Sequence, residues 1–216
     1  MNQPTKDTIP DLLLRNVPRD LVLGIEDARG AGAERAFGSA KGMDESHLPH
    51  VVGQLRHFNM NEAFYRALAG GDAAPTAIRG NGLVTGRTGV FTLARFNIPE
   101  GFWINGRRSQ TRRQMAFANM AIEPLVQPEL FGQYQPPADA VAFFVACFSG
   151  SLQVRPEAPT SIQIAVPDRH MRGWLFREPL DLFVKRYDAR QPGQADLAVP
   201  KLKKNIGKKD MGGTTS

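Results

Sequence analysis

The 216 residues carry 27 Lys and Arg against 21 Asp and Glu, a net charge of +6, and 42% of them are hydrophobic, enough to build a core. The longest apolar run, Ala140 to Phe148, is nine residues, about half a membrane span. No apolar stretch follows the first charges as in a secretory signal, and the single cysteine, Cys147, rules out an internal disulfide. These features point to a cytoplasmic protein with no membrane partner.

The charge is unevenly placed. Residues 1–45 carry a net −2, residues 46–138 a net +4, residues 139–200 balance, and residues 201–216 carry a net +4. Before residue 200 the cations are 19 Arg and only three Lys, whereas the stretch from Lys201 to Lys209 uses Lys alone. Arginine suits bidentate contact with phosphate or carboxylate. A GC-rich genome, which also favours the abundant Ala and Gly, accounts for the same skew.

In chain order, residues 1–45 are punctuated by Pro4, Pro10 and Pro18 and by glycines at 30, 32, 38 and 42. They predict an irregular lead-in with flexible connections, anchored by Leu12–Leu14. Asp44–Ser46 then marks a helix entry, followed by Val51, Leu55 and Phe58 at helical spacing. Asn59 and Glu62 have the spacing of a capping box, which predicts a break and a restart there. Gly70-Gly71 ends the stripe. Two strands, Leu83–Thr85 and Val90–Ile98, are predicted around a hairpin loop at Gly86–Gly89.

Residues 107–123 read as a helix with arginines in its first half and apolar residues in its second; Pro124 and Pro128 stop it. Asp139–Phe148 is apolar on both faces, as a central strand is. Ile162–Val166 alternates as a strand does, and Trp174–Phe176 makes another after a turn at Asp168–Gly173. Leu180, Phe183, Val184 and Tyr187 fit a helix opened by Pro179, although the alternation of Leu180, Leu182 and Val184 also fits a hairpin strand. The fold class is therefore α+β, with a mixed or antiparallel sheet of about five strands and helices packed on at least one face. Residues 46–190 form a single α+β domain, and residues 191–216 a flexible basic tail.

Arg107, Arg108, Arg112 and Arg113 carry the strongest chemical signal. On a continuous helix Arg108 and Arg112 share one face. Arginine at a helix start works against the macrodipole, so their presence there points to use as a phosphate clamp. Arg87 and the tail lysines Lys203 and Lys204 extend that electrostatic surface. Phe102 and Trp103 just precede the cluster, and one or other of them is the candidate for stacking on a base. The first functional reading is thus a DNA- or RNA-binding protein acting through phosphate contacts, regulatory or defence-related.

The second reading is an enzyme with a divergent site using His57, Glu62 or Asp168 with Arg95. Its evidence is thin. His47, His50 and His57 match no metal-ligand spacing, and Pro167-Asp168 with Glu178 lacks the lysine of a metal-dependent nuclease core. The glycines at 80, 82, 86 and 89 lack the context of a nucleotide loop, and Cys147 lies in too apolar a run for a thiolate. No cofactor or metal is expected. The third reading is an interaction module or homo-oligomer whose arginine face meets an acidic protein.

Overall fold

The computed structural model describes residues 8–126 and 137–190. It begins with three helices: α1 (Ile9–Asn16), α2 (Arg19–Ala40) and α3 (Leu48–Gly70). Residues 9–40, expected as an irregular lead-in, are thus almost wholly helical. Thr8 caps α1 by accepting from the Asp11 N–H, and Asp11 returns a bond to the Thr8 N–H. Pro10 sits within the first turn of that helix, where a missing N–H costs nothing. The buried face of α2 runs from Leu21, Val22, Ile25 and Arg29 to Gly32, Ala33, Ala36 and Ala40, so its second half is made of small residues. A Cβ on Gly32 would stand 2.9 Å from the Met60 Cα, so α2 and α3 approach backbone to backbone there. That packing outweighs the roughly 1 kcal/mol cost of a helical glycine.

The break expected at residues 59–62 is absent, because α3 runs through it. Glu62 of the expected capping pair has other partners, as does the neighbouring Asn61. Asn61 donates to the Gly82 carbonyl and accepts from Arg95, and Glu62 pairs with Arg66 and Arg35.

The sheet follows as β1 (Thr85–Thr88), β2 (Phe91–Pro99), β3 (Ala140–Phe148), β4 (Ser161–Pro167) and β5 (Trp174–Pro179), in that spatial order. The β2–β3 pair is parallel and the other three pairs are antiparallel. The sheet is therefore mixed, and β3 is its buried centre. The hairpin is displaced from the expected position. Residues 85–88 are strand, and the turn is Gly89-Val90, where Gly89 takes a φ of +52° against the Asn16 side chain. Helix α5 (Leu180–Arg190) closes the described chain, which settles the choice between helix and strand.

Helices α1, α2, α3 and α5 cover one face of the sheet, burying Phe91, Leu93, Phe144 and Ile164 against Leu13, Ile25, Phe64 and Phe183. The parallel pair needs a long crossover. Its residues 103–118 pack on the opposite face, with Ala116 against Ala94, Phe96, Phe143 and Ala165, while Ile122 and Leu125 join the main core. The single helix expected over 107–123 is broken into pieces there. A 3₁₀ helix covers Trp103–Arg108, helix α4 only Gln110–Ala116, and 3₁₀ turns cover Phe117–Ala121 and Glu123–Leu125. Ser109 is extended and caps α4, its hydroxyl accepting from the Arg112 N–H. Asn119 pins the far end, exchanging hydrogen bonds with Val141 and donating to the Pro167 carbonyl. That amide sets α4 beside the β4–β5 loop.

Candidate functional site

The break at Ser109 redistributes the four arginines. Arg108 and Arg112 no longer share a helical face. Arg112 folds back, donating to the Gly106 carbonyl at 2.8 Å and the Asn105 carbonyl at 3.2 Å, with its guanidinium 4.7 Å from the Phe96 ring centre. Burial lowers its pKa, and the side chain is structural. Arg107, Arg108 and Arg113 are exposed and, among the described residues, pair with no carboxylate.

Along α4, Gln110, Arg113, Gln114 and Phe117 recur at i, i+3, i+4 and i+7, so they form one face. That face, with Arg107, makes one wall of an open cavity of about 590 Å³. The opposite wall is the β4–β5 loop, through Arg169, His170 and Arg172. Among the described residues no acidic one lines the cavity, and its volume suits a nucleotide-sized ligand.

The loop is held in a defined posture. The Asp168 carboxylate accepts from the N–H groups of His170, Arg172 and Gly173, at 2.8, 3.0 and 2.5 Å. Met171 is buried in the core beneath and takes a φ of +54°, a conformation that costs a non-glycine residue about 1–2 kcal/mol. With Met171 turned inward, Arg169, His170 and Arg172 face out into the cavity. Glu123 ties the loop to the crossover, accepting from the Arg169 N–H at 2.9 Å and the Arg169 Nε at 2.7 Å. Burial pushes the Glu123 carboxyl up, but the bonds and charge from Arg169 outweigh it and hold its pKa below the usual value.

The remaining sequence candidates lie elsewhere or are occupied. Arg87 is exposed on β1 but pairs with Asp139 at 3.6 Å and donates to the Ala138 carbonyl. Trp103 is half-buried, edge-on to Trp174 at 5.1 Å, with the Arg177 guanidinium 4.5 Å over its ring. One face of its ring is thus covered by Arg177, and the side chain is held by protein neighbours. The exposed aromatic at the cavity is Phe117, from the apolar second half of the expected helix; 55% of its surface is accessible. Lys203 and Lys204 lie outside the described residues. Arg169, His170 and Arg172 were read only as a turn. The signal was an Arg-His-Met-Arg run in which the one apolar residue must turn inward.

Of the residues of the enzyme reading, His57 and Arg95 are brought together, whereas Asp168 and Glu62 are held by other partners. Asp168 is committed to its loop and Glu62 to two arginines. His57 and Arg95 lie on the other side of the sheet, where Arg95 donates to the His57 carbonyl and to Asn61. A second cavity there, of about 520 Å³, is lined by His50, Gln54, His57, Phe58 and Asn81 among others. No group of three or more potential metal ligands occurs among the described residues. Burial pushes the Cys147 thiol up, away from a reactive thiolate. No described helix is long and apolar enough to cross a membrane. Comparison with protein-family models, curated proteins and solved structures yields no match.

Proposed function

We propose that the protein binds nucleic acid through phosphate contacts in the cavity between α4 and the β4–β5 loop. One observation carries this reading: Arg107, Arg113 and Arg172 come from three separate segments, line one cavity, and have no carboxylate partner among the described residues. A cationic recess without acidic residues attracts a polyanion and releases its counterions on contact. Arg108 lies outside the cavity wall and serves as an exposed outer contact. Lys203 and Lys204 belong to the reading on charge alone.

The test is the salt dependence of binding. The logarithm of the affinity falls with the logarithm of the salt concentration, by roughly 0.7–0.9 for each phosphate contact. Replacing Arg107, Arg113 and Arg172 together with Ala flattens that slope by about 2–3. Arg112→Ala leaves it unchanged, because Arg112 is bonded to its own chain. Fluorescence anisotropy of a labelled oligonucleotide reads both slopes. Absence of binding by the unaltered protein at low salt refutes the proposal.

A further inference from the structure

We infer that the nucleic acid taken by this cavity is single-stranded, with one unstacked base lying on Phe117. The inference rests on the nucleic-acid reading above and adds the form of the ligand. Three features of the site lead to it.

The cations line an open cavity. A helix that reads duplex DNA must protrude far enough to enter the major groove. Helix α4 is seven residues long, and its Arg113 face looks into a cavity walled on the far side by the loop bearing Arg169 and Arg172. A cavity of about 590 Å³ has room for about one nucleotide, which a single strand can present and a stacked, paired duplex cannot.

Phe117 sits at the cavity with more than half its surface open, one helical turn from Arg113. In a duplex both faces of each base are covered by neighbouring bases, so an exposed ring gains a stacking partner only from an unpaired one. The spacing places the ring beside a guanidinium, so one nucleotide can put its base on Phe117 and its phosphate on Arg113.

The two other α4 side chains on that face are Gln110 and Gln114. Each amide both donates and accepts, so the pair matches the edge of any base without selecting one. The site therefore combines phosphate cations, an aromatic platform and uncommitted hydrogen-bonding groups, as expected for tolerant single-strand recognition.

The experiment measures anisotropy with labelled single-stranded DNA, single-stranded RNA of the same length and a DNA duplex, for the unaltered protein, Phe117→Leu and Phe117→Trp. The expected result is at least tenfold tighter binding of a single strand than of the duplex. Phe117→Leu, which keeps an apolar side chain at an exposed position, weakens single-strand binding about tenfold, within the range of one lost base stack. It leaves the salt slope and duplex affinity unchanged, and Phe117→Trp retains the single-strand affinity. Equal affinity for both forms, or indifference to Phe117→Leu, overturns this inference while leaving phosphate binding intact. Failure of the unaltered protein to bind any of the three at low salt overturns both.

Discussion

Arg112 and Arg113 are neighbours with identical chemistry and opposite roles. One step along a helix rotates a side chain by about a quarter turn, which turns Arg112 onto its own backbone and Arg113 into the cavity. A second contrast lies on the helix side of the sheet. Arg29 and Arg95 are both buried, and no carboxylate among the described residues reaches either. They share the Asn97 side-chain oxygen as acceptor; Arg29 also donates to the Phe96 carbonyl, and Arg95 to Asn61 and His57. Uncompensated buried charge is costly. Burial brings Arg95 down to about 9 and, with the charge of Arg95, lowers Arg29 well below its ordinary value. His57 feels the same surroundings: burial first, then Arg95, lowers its pKa below the ordinary value of about 6.5. A lowered histidine pKa means that the unfolded chain binds the proton more readily. Stability from neutral His57 is therefore complete above the unfolded value and declines as pH falls below it toward the folded one. The urea midpoint should drop between about pH 7.5 and pH 5, and His57→Gln should lessen that drop. Equal drops in the two proteins would show that His57 does not feel the buried arginines.

At the scale of elements, legibility in the sequence followed side-chain size. Ala140–Phe148 was plain as a central strand because it is apolar on both faces, and β4 was plain from its alternation. Helix α2 was not, because the second half of its buried face, where it meets α3, is built of glycine and alanine. A stripe of small residues has little contrast with its surroundings, and the same composition describes a loop. Two neighbouring glycines separate these meanings. Gly30 has open space around it, so Gly30→Ala should stabilise the protein by about 0.5–1 kcal/mol through helix propensity. Gly32→Ala gains the same propensity but drives a methyl into the Met60 backbone, and should destabilise by about 1–2 kcal/mol net. Thermal melts of the two variants should shift in opposite directions; a rise in both would contradict the close approach of α2 and α3. The candidate site was half legible. Arg107 and Arg113 stood out as charge, whereas Arg172 was hidden in a turn whose geometry depends on Asp168 and on the burial of Met171.

At the scale of the molecule, the sheet divides labour between its faces. Four helices on one side supply most of the core, and the crossover on the other side carries Arg107, Arg108 and Arg113. The parallel β2–β3 pair makes this arrangement, since its connection must traverse the sheet and is fastened there by Asn119 and by the Glu123–Arg169 pair. Segments more than fifty residues apart in sequence thereby meet at one cavity. That meeting is the central claim, and amide chemical-shift mapping during titration with a single-stranded oligonucleotide tests it most directly. Residues 107–117 and 168–173 should shift together at the same oligonucleotide concentration, while residues 50–58 around the second cavity stay still. Shifts confined to one of the two walls, or centred on residues 50–58, would contradict it.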